Sequence, residues 1–262
     1  MKITVLGSGT SYGVPMIGCE CAVCASDDPR NHRYRPSVLV SHEDQHILVD
    51  TSPDLRSQAL KFGVHRVHVV LMTHHHADHI LGIDDLRIYN HRINGKIPIY
   101  SDAKTLARLN VVFDYAFSDA KTEQSSPKLE PTVIDGPFDA CGMRITPFEL
   151  MHGSLPILGF HFESPSGKRF AYATDCKVIP DASRQIIAGA DLLIVDALRH
   201  RAHPTHFNLE EANAAVSDLK PARTLYTHIA HDLDHETTDQ ELPDGIELAY
   251  DGQVIDLSLS FC

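Results

Sequence analysis

The segment LMTHHHADH, residues 71–79, contains four side chains that could bind metal ions: His74, His76, Asp78 and His79. It follows an apolar run, Val67–Met72, that is typical of a buried strand. A strand that ends in a tight turn can direct several side chains into one cavity. Neutral imidazoles together with a carboxylate are suited to zinc, manganese or iron. The spacing therefore predicts a metal site, and His75, which interrupts it, is expected to point away.

Further candidate ligands follow other β-rich runs of the chain. They are His152, Asp175, His228 and His231. A single His or Asp in such a place is more often a capping or packing residue. Active-site residues of sheet proteins, however, tend to lie on the loops that leave strands. The repeated placement predicts that these side chains complete the site begun at His74.

A second cluster consists of three cysteines at CxCxxC spacing, Cys19, Cys21 and Cys24. Three thiolates are one ligand short of a tetrahedral zinc site. In a reducing compartment such a cluster indicates a metal before a disulfide. A disulfide between two of the three would leave the third unpaired, and three unliganded thiols remain an alternative. We expect a zinc loop at about residues 18–30.

Composition limits the class of protein. The chain has 262 residues, 43% of them hydrophobic, and a net charge of −12, which excludes disordered classes and argues against a nucleic-acid partner. No apolar run approaches the roughly 18–20 residues of a membrane helix. The start, MKITVLGSGT, reads as a strand and a Gly-rich turn rather than a signal peptide. We expect one α/β domain over residues 1–262, a cytoplasmic location and no membrane partner.

The elements that must position these residues alternate along the chain. Apolar periodicity predicts helices at about 54–62, 84–94, 103–117, 180–187 and 209–219, the last opened by Asn208 and Glu211 as a capping box. Strands are predicted at about 3–6, 37–41, 46–49, 67–72, 143–148, 158–163, 169–174, 192–195, 224–227, 246–250 and 254–259. The polar segment Lys121–Pro131 is predicted to be a surface loop. The alternation favours an α/β fold.

The pattern HxHxDH, followed by a distant His, an Asp and a final His, resembles the metallo-β-lactamase superfamily of hydrolases. Within it, GSGTSYGVPMIGCECAVC (7–24) and THIAHD (227–232) are similar to the PhnP-type cyclic phosphodiesterases of phosphonate breakdown. The resemblance covers essentially the whole chain. It implies a four-layer αββα sandwich with metals at one rim of the sheets.

The resemblance also implies a ligand set. One catalytic metal would be held by His74, His76 and His152, and the other by Asp78, His79 and His228, with Asp175 bridging the two. His231 would complete a structural Cys₃His zinc site with the three cysteines. Mn²⁺, Zn²⁺ or Fe would suit the two catalytic positions. These ligands would leave about two units of positive charge on the metal pair, enough to make a bridging water a hydroxide near neutral pH.

Loss of the leaving group needs a proton donor. The segment RHRAHPTHFN, residues 199–208, contains three histidines, and the resemblance implies that His206 is the general acid or a stabiliser of the phosphorane. Catalysis would then depend on His206 together with the metal ligand Asp78. Whether Arg87, Arg199, His200 or His203 contacts substrate stays open at this level.

The leading function is a metal-dependent phosphodiesterase for a small or cyclic diester, such as a 5-phosphoribosyl 1,2-cyclic phosphate. A tRNA 3′-processing nuclease shares the metal motif, but an acidic chain without a basic inserted arm argues against it. A thioester or lactone hydrolase would use the same metals. The non-enzyme alternative is an accessory protein of the pyrroloquinoline quinone type, whose metal motif is degraded. A small phosphodiester is the expected partner, and a homodimer is the commonest oligomer to expect.

Overall fold

Residues 1–117 and 126–258, which this computed structural model describes, contain two seven-stranded β-sheets. The first sheet is formed by β1 (Lys2–Gly7), β2 (Ser37–His42), β3 (Gln45–Val49), β4 (Val69–Leu71), β5 (Ile97–Ser101), β6 (Leu129–Val133) and β14 (Val254–Asp256). Its strand order is β14-β1-β2-β3-β4-β5-β6. The strands from β3 to β6 run parallel to one another, whereas β1 pairs antiparallel with both β2 and β14.

The second sheet comes from the later part of the chain. It is formed by β7 (Phe138–Ala140), β8 (Met143–His152), β9 (Leu155–Glu163), β10 (Arg169–Ala173), β11 (Leu192–Asp196), β12 (Thr224–Thr227) and β13 (Ile246–Leu248), in the order β13-β12-β11-β10-β9-β8-β7. The strands β10 to β13 are parallel, and β7, β8 and β9 form an antiparallel meander.

Helices connect the strands and cover the sheets. They are α1 (Leu55–Phe62), α2 (Ala77–Ile80), α3 (Arg87–Ile93), α4 (Ala103–Val112), α5 (Asp114–Phe117), α6 (Asp181–Ile187), α7 (Leu209–Leu219) and α8 (His235–Glu241). The predicted capping box is present at α7, where the Asn208 side chain accepts from the Glu211 backbone N–H and Glu211 accepts from the Asn208 backbone N–H. Helix α1 ends at Gly63, whose φ of 68° is the left-handed conformation that favours glycine.

Three buried apolar layers separate four layers of secondary structure. One lies between the two sheets and contains Ile3, Val38 and Ile47 of the first sheet with Phe160 and Ile194 of the second. A second layer packs α1, α3 and α4 against the outer face of the first sheet. A third packs α6 and α7 against the outer face of the second sheet. This αββα sandwich confirms the fold expected from the sequence.

Strand periodicity explains why both faces of the central strands are apolar. In β3, Ile47 and Val49 face the layer between the sheets, whereas Leu48 faces the helices. In β11, Leu192 and Ile194 face inward and Leu193 packs against the outer helices. Strands covered on both faces therefore read as continuous apolar runs.

Several predicted boundaries are wrong. The predicted 84–94 helix is divided into a 3-10 turn, Ile83–Leu86, and α3, and the predicted 103–117 helix is interrupted at Phe113. The segment Leu129–Pro131, predicted as loop, lies in the edge strand β6, where a proline is tolerated. Residues 121–125 of that loop and Leu259 of the last strand lie outside the described residues.

Sequence reasoning also missed β5, β7 and α8, which are short or polar and give little periodic signal. No helix in the described ranges combines the length and apolarity needed to cross a bilayer.

Candidate metal centre

The ends of strands from both sheets meet at one rim of the sandwich. Strand β4 leads into His74, β8 ends at His152, β10 leads into Asp175 and β12 leads into His228. Because neighbouring parallel strands end at the same edge of a sheet, their following residues converge there. The topology therefore brings together side chains as far apart in the chain as His74 and His228, which are 154 positions apart.

Two sets of donor atoms at this rim contain the expected ligands, and both overlap with groups that include His206. In one set the candidate ligand atoms of His74, His76 and His152 lie within 4.8 Å of one another. In the other, the same limit holds for the four residues Asp78, His79, Asp175 and His228. The structure thus brings together the side chains of each ligand set that the resemblance implies, with Asp175 in the second group. His75 belongs to neither set among the described residues.

The buried nitrogens of these sets fit a metal. His74 Nε2, His79 Nε2 and His228 Nε2 are buried and make no hydrogen bond in the described structure. An unpaired buried ring nitrogen is costly. Since carboxylate oxygens lie only 3.2 Å from His79 Nε2 and from His228 Nε2, a shared cation would satisfy both kinds of group. The donor set, imidazoles with carboxylates, matches zinc, manganese or iron.

The electrostatics of the site also favour the binding of cations. Burial lowers the pKa of His74 well below its usual value and that of His152 to about 4, so both rings are neutral donors. Burial alone would lower the pKa of His228, but Asp175 outweighs it and raises the pKa to about 10. Burial would raise the pKa of Asp175, yet His228 and His79 hold it well below its usual range. The carboxylates thus retain protons on neighbouring rings, which divalent metals would replace.

Hydrogen bonds from outside the ligand sets orient the rings. His79 Nδ1 donates to Asp50 Oδ2 at 2.8 Å, and Asp50 also accepts from the Thr73 backbone N–H and hydroxyl. His152 Nδ1 donates to the Thr205 carbonyl oxygen at 3.0 Å. Such partners fix which ring nitrogen faces a metal. Sequence reasoning missed Asp50. Its position directly after a strand, β3, is nevertheless the same feature that made Asp175 a candidate ligand.

Three residues of the site adopt a left-handed backbone conformation. Their φ angles are 62° at Asp50, 56° at Asp175 and 60° at His228. Non-glycine residues rarely adopt this region, at a cost of about 1–2 kcal/mol each. All three follow parallel strands, so the strain turns each side chain sharply into the rim. Strain of this kind concentrates at functional sites.

His206 lies beside the two candidate ligand sets and is 7% exposed. Its ring stacks on His228 with centroids 4.6 Å apart, and one of its nitrogens lies within 4.8 Å of ligand atoms of His152 and Asp175. Its Nδ1 donates to Asp196 Oδ2 at 2.7 Å, which leaves Nε2 available to the site. Asp196, fully buried at the end of β11, was also missed by sequence reasoning.

A pocket of about 310 Å³ adjoins His206. Arg199 and His203 line it, whereas Arg87 lines a separate cavity between α1 and α3. His200 is exposed, and its backbone carbonyl accepts from the Asn208 side chain. Of the residues that the sequence left open as substrate contacts, Arg199 and His203 therefore lie at the pocket beside His206, whereas Arg87 lies at a separate cavity.

The cysteine cluster is assembled as the resemblance implied. Ligand atoms of Cys19, Cys21, Cys24 and His231 lie within 4.8 Å of one another, and His231 Nδ1 is 3.3 Å from both Cys19 Sγ and Cys21 Sγ. The edge of a tetrahedral zinc site is about 3.7 Å, so the spacing fits. The five cysteines in the described residues are free thiols. A hydrogen bond from the Cys24 backbone, aided by His231, lowers the pKa of Cys21 to about 6, which favours the thiolate that binds metal.

The family model for a beta-lactamase superfamily domain matches residues 45–229 of this chain. The chain belongs to the metallo-β-lactamase superfamily, and its fold implies a hydrolase that uses divalent metals.

Within the superfamily the chain is PhnP-like. A solved structure described as a new diphosphatase from the PhnP family is 43% identical, with a TM-score of 0.89 and coverage of 97% of this chain and 96% of that one. Zn²⁺-bound PqqB from Methylobacterium extorquens shares the fold at 24% identity and a TM-score of 0.81, over 98% of this chain and 100% of that one.

The chain is also similar to a protein of Porphyromonas gingivalis that is described as an octanoyltransferase, with 34% identity over 96% of this chain. The chain spans only 51% of the length of that relative.

Proposed function

We propose that this protein is a dinuclear metal-dependent hydrolase that cleaves a small phosphodiester or diphosphate. The observation that carries the proposal is the Asp196–His206 pair, a candidate proton donor beside seven candidate metal ligands. The 43% identity to a PhnP-family diphosphatase over nearly the full length of both chains supports phosphoryl chemistry.

The proposed ligand sets are those of the two groups at the rim. His74, His76 and His152 would hold one ion, and Asp78, His79 and His228 the other, with Asp175 shared between them. When bound, such a pair activates water and neutralises charge on a phosphoryl group. Asp50 and Thr205 keep the rings of His79 and His152 in the required orientation. A third ion, zinc, would be held by the Cys₃His set with a structural role.

His206 is proposed to protonate the leaving oxygen. Asp196 accepts the Nδ1 hydrogen bond, so the Nε2 proton is the one available to substrate. The ring is restrained on one face by His228, with the two ring planes 13° apart. A fixed donor of this kind contributes typically 10²- to 10⁴-fold to rate. Asp196 is therefore proposed as a positioning residue.

A second candidate is hydrolysis of a thioester or other acyl ester. The 34% identity to an octanoyltransferase favours it, although that match covers about half of the relative. An acyl carbon can be attacked by the same metal-activated water. The two candidate functions differ in the geometry of the reacting centre, which is phosphorus in one and an acyl carbon in the other. Assays with one substrate of each kind distinguish them.

The test is hydrolysis of bis(p-nitrophenyl) phosphate by metal-depleted protein given back Mn²⁺ or Zn²⁺, with a thioester and a lactone in parallel. Metal-dependent release from the diester, lost in Asp78→Ala, is the expected result. Hydrolysis of the acyl substrates alone would move the protein to the second candidate. Inactivity on all three, with one tightly held zinc, would favour a non-catalytic accessory role.

A further inference from the structure

The 310 Å³ pocket beside His206 lies between three segments of the rim. They are the turn after β1, the loop between β11 and α7, and the segment that follows His228. Its size is at the lower end of the range for small-molecule sites. Because the proposed acid His206 lines this pocket, a substrate whose leaving oxygen faces His206 would extend its leaving group into it.

Arg199 supplies a positive charge to the pocket, and within the described residues it has no acidic partner. Arg199 lines it, half-buried, and donates from Nε to the Arg201 carbonyl oxygen and from an Nη to the Ala202 carbonyl oxygen, both at 3.2 Å. In residues 1–117 and 126–258, no carboxylate is recorded within ion-pair distance of Arg199. Of the described residues that line the pocket, the sole carboxylate is Asp232, which pairs with Arg201 at 3.5 Å.

Backbone hydrogen bonds hold Arg199 in a fixed relation to His206. The Leu198 N–H donates to the Phe207 carbonyl at 2.9 Å, and the Leu209 N–H donates to the Arg199 carbonyl at 3.1 Å. The loop from 199 to 206 is thus closed at its base. A guanidinium that is pre-oriented by neutral carbonyls keeps its charge and its remaining N–H groups for an anion.

We propose that Arg199 binds a second phosphate, carried by the leaving group of the substrate. This inference rests on the proposed function and narrows it to substrates in which both sides of the scissile bond are phosphorylated, such as a dinucleoside diphosphate. Hydrolysis breaks one P–O bond; water adds its OH to phosphorus and its hydrogen ends on the released phosphate oxygen. Arg199 compensates the charge that this released group retains.

The test compares two substrates in the metal-loaded protein. P¹,P²-di(adenosine-5′) diphosphate releases a phosphorylated leaving group, whereas bis(p-nitrophenyl) phosphate releases none. We expect Arg199→Gln to lower kcat/KM for the diphosphate by about 10- to 100-fold, as for loss of a charge-assisted contact, and to change kcat/KM for the diester less than about twofold. Arg199→Lys, which keeps the charge, should restore part of the loss.

Arg87→Gln is the matched control. Arg87 lines the cavity between α1 and α3 and pairs with Asp84 at 3.3 Å, so its removal should affect neither substrate. Equal losses on both substrates in Arg199→Gln would assign Arg199 a purely structural role in the loop. No loss on either would also overturn the proposal.

A binding measurement separates this inference from the proposed function. The probe is the non-hydrolysable α,β-methylene analogue of the same diphosphate, titrated calorimetrically into metal-loaded protein, with dimethyl phosphate as the single-anion comparison. Arg199→Gln should weaken binding of the analogue about tenfold or more and leave dimethyl phosphate unchanged. Inactivity of the wild type on both substrates would refute the proposed function, but the titration would still test the phosphate site. Unchanged affinity of Arg199→Gln for the analogue would overturn the assignment of Arg199 to that site.

Discussion

The two candidate metal-ligand clusters of this protein are built in contrasting ways. The rim cluster draws its donors from loops after strands of both sheets, buries most of them, and adds oriented partners such as Asp50 and Thr205. The cysteine cluster takes three donors from six consecutive positions of a loop and one from His231. Its donors lie partly at the surface and pack only a small apolar group around Val14 and Val23.

This difference in construction fits the two proposed roles. The rim cluster would have to leave room for a substrate, whereas the cysteine cluster would be closed. At the rim, strained backbone at Asp175 and His228 aims side chains at a shared centre, and the His206 pocket opens beside it. The proposed Cys₃His set would supply four protein ligands to zinc, and would thus leave no open position. The two are joined through one short segment, because His228 and His231 belong to opposite clusters. Because His231 also lines the pocket beside His206, we expect a metal held by the cysteine cluster to fix one wall of that pocket.

The largest expected effect comes from removing the shared carboxylate of the rim. Asp175→Ala should abolish turnover, by more than about 10³-fold, because both proposed ions lose a ligand and the buried His79 and His228 lose their counter-charge. Metal analysis should find about one ion per chain, the zinc of the cysteine cluster. Asp181→Ala, an exposed carboxylate at the start of α6, is the control and should retain both properties. A full metal complement in Asp175→Ala would contradict the assignment.

Next in size is the loss of the proposed acid. His206→Ala should lower kcat by about 10²- to 10⁴-fold while leaving the metal content unchanged. The exposed His200 of the same loop offers a control, and His200→Ala should behave as the wild type. Full turnover in His206→Ala would exclude His206 as the acid but would leave the metal centre in place.

The oriented partners of the rim should matter less than its ligands. In Asp50→Asn the carboxylate that accepts from His79 Nδ1 becomes an amide, so we expect about 10- to 100-fold weaker metal binding at the rim. Competition with a chelator measures this affinity. The zinc of the cysteine cluster should be unaffected, and an equal loss from both clusters would indicate general destabilisation.

Breaking the closed cluster should cost stability more than chemistry. Cys21→Ser should release one zinc, lower Tm by about 5–10 °C as for the loss of a few kcal/mol, and retain the two rim ions. Differential scanning calorimetry with metal analysis tests this. Cys141→Ser, which changes a thiol outside the cluster, should keep all three ions. Loss of the rim ions in Cys21→Ser would show that the two clusters are not separable.

The smallest effect concerns the attachment of the cysteine-containing loop. Burial and the neighbouring Arg33, which donates to His235 Nδ1 at 3.0 Å, lower the pKa of His235 to about 4. The unfolded chain binds this proton near pH 6.5, so the contribution to stability is complete above that pH and is lost as pH falls from about 6.5 to 4. Tm measured across this window should fall more steeply in the wild type than in His235→Gln. Parallel curves would rule out His235 as a source of the acid sensitivity.

The sequence alone predicted much of this fold and its candidate site. The apolar runs of β3 and β11 and the capping box of α7 are local patterns that tertiary contacts did not override. The ligand residues could be proposed because each follows a strand, and strand ends are visible in sequence. Edge strand β6, with its proline and polar residues, and the short helix α8 lack such a period and were missed.

What only the tertiary structure decided is which distant side chains share a proton or a pocket. Asp50 and Asp196 each resemble an ordinary buried aspartate in sequence. The neighbouring ends of β3 and β4 bring Asp50 to His79, and the loop that leaves β11 folds back to bring His206 to Asp196. Arg87 and Arg199 are equally plausible from sequence, yet the first faces a helix groove and the second faces the pocket of His206. Whether such hydrogen bonds form depends on how the strand ends and loops of the rim pack together, and no local sequence pattern encodes that packing.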